Sequence, residues 1–203
     1  MPAPGIFHPP GADPPSPAAR GGRLNKDLQL ENIEFTHRKA AVDEIGAALA
    51  LLREAALWLK EKDIDYWQNW VDPDEKYVDW IREGFKNNEF FFVHAGNELA
   101  GMYRLQYSDD IFWGKRDDRS GYLHSFTTKR TRYRGGIGRR ILDDVAARLR
   151  ENGFEYLRLD CGKNIGGLRG YYERLGFRNV GERTVDGDEL VLYEKRICDG
   201  GVR

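Results

Sequence analysis

The sequence predicts an α/β protein in which a mixed sheet carries helices on both faces. Three observations lead there. Apolar residues switch between a two-residue and a three-to-four-residue repeat, giving the order strand, two helices, three strands, helix, strand, helix, two strands. Gly and Asx pairs fall where the repeat is interrupted. The 203 residues are 40% hydrophobic, enough to enclose a core.

Leu28–Thr36 reads as an opening strand. From Ala40 to about Lys62 the residues Val42, Ile45, Leu49, Leu52, Ala56 and Leu59 mark one face of an amphipathic helix. An aromatic knot follows (Ile64, Tyr66, Trp67, Trp70) and ends at Asp72-Pro73-Asp74-Glu75. Asp72 as N-cap, Pro73 as first helical residue and Glu75 as reciprocal partner predict a second helix from Pro73 to Phe85, burying Tyr77, Trp80 and Ile81. Glu89–Ala95 and Glu98–Tyr107 are strands joined through Gly96-Asn97, a hairpin signal. The charged tip Asp109–Asp118 holds Ile111, Phe112 and Trp113, which are expected to pack back on the body. Gly121–Thr128 is a further strand, and Ile141, Leu142, Val145 and Leu149 give the buried face of a helix over Arg139–Asn152 that Gly153 ends. Tyr156–Cys161 is a strand, a helical turn region leads to Tyr171–Phe177, and Asn179–Glu182 and Glu189–Lys195 close around Asp186-Gly187-Asp188.

Composition narrows the classes. Net charge is −1 with 32% charged residues, so no whole-protein field points to nucleic acid or an anionic membrane. No apolar run approaches the roughly 18–20 residues of a membrane helix, and the N-terminus lacks a signal-peptide plan. Cys161 and Cys198 make neither a disulfide framework nor a metal site, so no metal is expected. These features predict a soluble cytoplasmic protein. Residues 1–24 hold seven of the eight prolines and read as a flexible arm before a single domain over 25–203.

One stretch stands out chemically. Lys129–Arg140 (K-R-T-R-Y-R-G-G-I-G-R-R) has six Lys or Arg among twelve residues and lies between a strand and a helix. That arrangement aims backbone N–H groups and a helix N-terminus at an anion, and the local charge fits a polyphosphate. The plain alternative is a turn made by Gly135, Gly136 and Gly138 with solvated arginines. A dinucleotide fingerprint fails because Ile141 stands where its third glycine belongs, and no Gly-Lys-Ser/Thr closes a phosphate loop.

R-Y-R-G-G-I-G-R-R-I-L (132–142) with Y-Y-E-R-L-G-F (171–177) resembles the GNAT superfamily of acyl-CoA-dependent N-acetyltransferases, from about Leu28 to Arg196. The resemblance implies a GNAT-like fold with a central mixed, mostly antiparallel sheet. It also implies acetyl-CoA as co-substrate and direct attack of an amine on the thioester through a tetrahedral intermediate. Aligned on Gly136 and Gly138, the family's Gln/Arg-x-x-Gly-x-Gly/Ala loop puts Tyr133 at its first position, a departure flanked by Arg132 and Arg134. The resemblance assigns the CoA pyrophosphate to the amides of Arg134, Gly135, Gly136, Ile137, Gly138 and Arg139. It assigns the pantetheine arm to the backbone of Phe126, Thr127 and Thr128, with Asn164 as a further contact, and proton donation to the departing thiolate to Tyr172.

A base must also take the acceptor's proton, and His124 in L-H-S-F-T-T has the right pKa class. Its alternative is a histidine bonded within the sheet. Cys161 reads as a buried thiol rather than a nucleophile. The expected partner is a small-molecule amine, because the aromatic knot lies where the family builds one wall of its acceptor site. Protein acetylation, a CoA-binding module without turnover, and an interaction protein using the arm and Trp67, Trp70 and Trp113 stay open as alternatives. Oligomeric state is not readable, a homodimer being the one assembly entertained.

Overall fold

The computed structural model describes residues 33–129 and 136–198. The Pro-rich arm at 1–24, residues 28–32 of the expected first strand, and Arg132, Tyr133, Arg134 and Gly135 lie outside the described residues.

The opening strand, β1, is Phe35–Lys39, later than the expected Leu28–Thr36. Phe35 and His37 point inward, and the strand pairs antiparallel with β2 (Phe90–Ala95) in the register Phe35↔Ala95. Between them the expected single helix is broken. Val42–Glu44 form a 3₁₀ turn, and the α-helix proper, α1, is Ile45–Glu61. Glu44 fixes the turn: its carboxylate accepts the Ala41 N–H at 2.8 Å and both Arg38 guanidinium bonds at 2.8 Å. A 3₁₀ turn advances three residues rather than 3.6. The buried stripe of α1 is therefore Ala48, Leu51, Leu52, Ala55, Ala56 and Leu59, while Val42 is left 63% exposed.

Helix α2 is Glu75–Lys86 with Asp74, not Asp72, at its N-cap. The Asp74 carbonyl accepts the Tyr77 N–H at 2.9 Å, so Pro73 stands before the helix. Trp80, Ile81, Gly84 and Phe85 are buried, as the periodicity requires, with Tyr77 half-buried. The hairpin of β2 with β3 (Glu98–Gln106) turns at Gly96, whose φ of 59° is a conformation that favours glycine. In the loop after β3, Phe112 and Trp113 pack into the core and Ile111 stays exposed.

Strand β4 is Ser120–Thr128, helix α3 Ile137–Glu151, β5 Tyr156–Gly162, helix α4 Gly166–Arg174, β6 Arg178–Val185 and β7 Asp188–Arg196. Among the described residues these make one seven-stranded sheet in the order β1-β2-β3-β4-β5-β7-β6, antiparallel except between β4 and β5. Asp186 and Gly187, both at positive φ, close the last hairpin as a two-residue turn.

Alternation along the central strands sorts side chains between the faces. Gly121 meets Leu149 of α3, whereas His124 meets Trp80 of α2. Arg158 and Asp160 of β5 therefore face α1 and α2, and Leu157, Leu159 and Cys161 face the opposite side.

Candidate active site

The site is built where β4 and β5 part. Their parallel pairing covers Ser120↔Tyr156, Gly121↔Leu157 and Tyr122↔Arg158, and both strands run on beyond it. Two features make this a wedge. At the paired end Arg158 acts as a clamp. Its guanidinium donates to both Asp118 oxygens at 2.6 and 2.7 Å, to Glu194 at 2.7 Å and to the Tyr122 hydroxyl at 3.0 Å. On the open side β4 carries a bulge. Its pairing with β3 passes from Arg104↔His124 to Met102↔Thr127, so Ser125 and Phe126 together oppose Tyr103. Ser125 takes a φ of 50°, and its buried hydroxyl has no hydrogen-bond partner among the described residues. A bulge bends its strand and re-aims the backbone, here that of Phe126, Thr127 and Thr128. The Thr127 carbonyl is brought so close to β3 that a Cβ on Gly101 would stand 2.5 Å from it.

On the α2 face of the wedge His124 lies between two carboxylates. Its Nε2 is 3.1 Å from Asp109 Oδ2 and its Nδ1 3.7 Å from Asp160 Oδ1. All three side chains are almost completely buried, under Trp80 and Phe112, and neither contact is aligned as a hydrogen bond. Burial pushes the Asp160 carboxyl up to about 7, and no described residue donates a hydrogen bond to its charged form.

That position predicts a pH signature. A carboxyl raised from about 4 to about 7 contributes stability fully present below pH ~4 and lost as pH rises through ~7, to a limit of roughly 4 kcal/mol. Asp160→Asn lacks that loss. Its melting temperature is expected to match the wild type near pH ~4.5 and to rise progressively above it toward pH ~7.5. Thermal melts of both proteins check this, and a gap independent of pH would contradict it. His37, whose imidazole is held down to about 4 by burial, destabilises both proteins alike as pH falls and cancels in the comparison.

On the opposite face Tyr172 of α4 is fully buried among the rings of Tyr171, Phe177 and Tyr193. Its hydroxyl has no hydrogen-bond partner among the described residues, and burial, reinforced by the nearby Cys161, holds the phenol well above its ordinary range and so protonated. Burial likewise keeps the Cys161 thiol protonated, which removes it as a nucleophile. Asp160 and Cys161 are successive residues of β5, so the histidine–carboxylate cluster and the tyrosine stand on opposite faces of one strand end.

The phosphate loop is described from Gly136 onward. Gly136, at a φ of 88°, is the N-cap of α3, whose first backbone bond runs from the Arg140 N–H to the Gly136 carbonyl. The N–H groups of Ile137, Gly138 and Arg139 precede that bond and are free of helical acceptors, the arrangement that receives a phosphate. Ile137 and Gly138 are buried, while Arg139 and Arg140 lean toward Asp143 and Asp144 at 3.5 and 3.1 Å. Their charge is partly answered by their own helix. Asn164 is exposed on the turn before α4. Of the sequence-predicted residues, Phe126–Thr128 lie at the bulge, His124 and Tyr172 on the two faces of the sheet, Gly136–Arg139 at the start of α3 and Asn164 before α4, with Arg134 and Gly135 outside the described residues.

Sequence reasoning missed Asp109, Asp160, Ser125 and Arg158. Asp160 and Arg158 had a signal. In a central strand whose other face is Leu157, Leu159 and Cys161, charged residues at alternate positions are buried and must be paired or functional.

A seven-stranded mixed sheet, opened between its one parallel pair beside a glycine-capped helix, is the frame of an acyl-CoA-dependent acyltransferase, and the comparisons with known proteins agree. Residues 46–177 match the model of the acetyltransferase (GNAT) family. The chain belongs to that family and is an N-acetyltransferase. It is 24% identical over 163 residues to an uncharacterized N-acetyltransferase, YesJ, of Bacillus subtilis (strain 168), covering 78% of this chain and 88% of that one. A GNAT-family acetyltransferase from Listeria monocytogenes 4b F2365 superposes with a TM-score of 0.63 at 25% identity, over 81% of this chain and 95% of that one. The PaiA N-acetyltransferase of Thermoplasma acidophilum, solved in complex with coenzyme A, superposes with a TM-score of 0.51 at 19% identity, over 80% and 99% of the two chains.

Proposed function

We propose that the protein transfers the acetyl group of acetyl-CoA to the primary amine of a small, partly apolar molecule. The observation that carries this reading is the placement of a proton-accepting cluster and a proton-donating phenol on the two faces of one strand end. A direct transfer needs both, one for the incoming ammonium and one for the departing thiolate.

The residues present fit the co-substrate. The N–H groups at the start of α3 suit its pyrophosphate, the bulged backbone at Phe126–Thr128 suits its pantetheine arm, and the Tyr172 hydroxyl, without a partner among the described residues, suits its sulfur. Acetyl-CoA supplies an acetyl thioester. The amides of Ile137, Gly138 and Arg139 hold the anionic end, with Arg134 and Gly135 assigned to the same loop. The re-aimed β4 backbone donates to the thioester oxygen as negative charge grows on it. Tyr172 gives its proton to the sulfur as the C–S bond breaks. The His124–carboxylate cluster, on the other face, receives the proton that the amine loses.

Support for a small, partly apolar acceptor comes from the aromatic segment between α1 and α2. The Tyr66 hydroxyl accepts the Gly162 N–H at 3.3 Å, and its ring lies against Gly162, the last residue of β5. That side chain walls the open end of the wedge with aromatic surface, which suits a ring or short chain bearing an amine better than an extended peptide.

The test is a panel of 2-phenylethylamine, spermidine, and peptides with an N-terminal alanine or an internal lysine, each incubated with acetyl-CoA and read by free thiol and by mass of the product. The expected result is acetylation of 2-phenylethylamine well ahead of both peptides. Preference for a peptide would move the reading to protein acetylation, and thiol release with none of them would leave a CoA-binding module.

A further inference from the structure

We infer that Asp160, His124 and Asp109 form a buried proton relay that carries the ammonium proton from the wedge to the cleft under the loop after β3. The inference rests on the acetyl-transfer reading above and gives its proton a route.

Both nitrogens of the His124 ring face a carboxylate, Nδ1 toward Asp160 at 3.7 Å and Nε2 toward Asp109 at 3.1 Å. An imidazole so placed bridges two acids that do not touch each other. The three groups are nearly without solvent contact, so a proton released in the wedge does not leave through bulk water at that point. Asp160 stands just past the last paired position of β4 and β5, where the wedge opens. Asp109 stands at the far end. Its Oδ1 accepts the Phe112 N–H at 3.0 Å, which fixes the carboxyl, and it borders a surface cleft with Ser108, Asp110, Lys115 and Arg116. The line therefore runs from the reacting face to a polar exit.

The transfers balance. The amine N–H bond breaks as an Asp160 oxygen takes the proton. Asp160 passes a proton to His124 Nδ1, and His124 releases its Nε2 proton to Asp109 Oδ2. Asp109 gives that proton to water in the cleft. The imidazole ends in the opposite tautomer, and a turn of the ring that carries its Nδ1 proton to the Asp109 side, not back-transfer along the same bonds, restores it before the next cycle. A small rotation of the ring aligns either contact, as catalytic hydrogen bonds often require. Asp160, with its carboxyl near 7, takes and gives protons in the neutral range. The groups that bear on these titrations are Arg104 from β3, paired with Glu89, and Tyr66 from the segment after α1. Cys161 and Tyr172 act from the opposite face and Lys115 and Arg116 from the exit loop, while α2 presents uncharged Trp80.

The test measures kcat against pH at saturating acetyl-CoA and 2-phenylethylamine for the wild type, Asp109→Asn and Asp160→Asn. It is joined by the solvent isotope effect of the wild type in mixed H2O and D2O. Each variant is expected to lose about 100-fold in kcat with the KM for acetyl-CoA within about two-fold of wild type. Asp160→Asn is expected to lose the rise in kcat across neutral pH, Asp109→Asn to keep it at a lower plateau, and the wild-type isotope effect to curve with D2O fraction, as several protons in flight require. Formate is expected to restore part of the rate to Asp109→Ala, at a position that lines the open cleft, and none to Asp160→Ala. An active wild type whose Asp variants keep its rate and pH profile, or a linear isotope dependence, overturns the relay alone. A wild type that releases no thiol with any amine of the panel overturns the enzyme reading and the relay with it.

Discussion

Replacing Tyr172 with Phe is expected to slow acetyl transfer by about 100-fold or more while making the protein harder to unfold. The two effects share one cause. The phenolic hydroxyl is completely buried and has no hydrogen-bond partner among the described residues, so folding removes its hydration without a replacement from them. Such a group costs about 1–3 kcal/mol, which the Phe variant recovers with the ring packing against Phe177 and Tyr193 intact. Under the proposed mechanism the same hydroxyl donates its proton to the departing thiolate. The measurements are kcat at saturating acetyl-CoA and the denaturant midpoint. Unchanged turnover would remove Tyr172 from the chemistry, and a fall in stability would show that its hydroxyl is bonded in solution.

The second large effect lies at the closed end of the wedge. Arg158→Met is expected to cost about 3–5 kcal/mol, because it leaves Asp118 and Glu194 facing each other without the cation between them. Arg158 is buried, reaches two carboxylates and the Tyr122 hydroxyl, and lies over the rings of Trp113, Tyr122 and Tyr156. For a domain of this size the cost is a fall in melting temperature of roughly 10 °C. Arg158→Lys keeps the charge and loses the forked geometry, so it is expected to fall between. A loss for the Met variant below about 0.5 kcal/mol would place Arg158 among surface ion pairs of little weight. Because Arg158 stands at the last paired position of β4 and β5, the clamp sets where the strands begin to part.

The element order was legible because each strand and helix carries its own repeat, and the hairpins because Gly96 and Asp186-Gly187 are residues that a tight turn demands. The errors came where a local device shifted the phase. Glu44 holds a 3₁₀ turn that rotates the stripe of α1, and the Asp74 carbonyl rather than Asp72 opens α2. At the site, the frame around Tyr172 could be read from its motif and the glycines at 136 and 138 from their spacing. His124 was a candidate by residue type alone. What gives it a setting is Asp109 from a loop and Asp160 from a strand that becomes its neighbour only through the parallel crossover. The bulge at Ser125 was invisible for a related reason. Serine at positive φ is held there by the strands on either side and not by its own preference.

Acetyl-CoA binding is the property from which everything else in this account follows, and titration calorimetry measures it most directly. The account predicts one acetyl-CoA per chain, with a dissociation constant on the order of the micromolar-to-millimolar range of enzyme substrates. No heat of binding at millimolar acetyl-CoA, from protein shown to be folded, would contradict it.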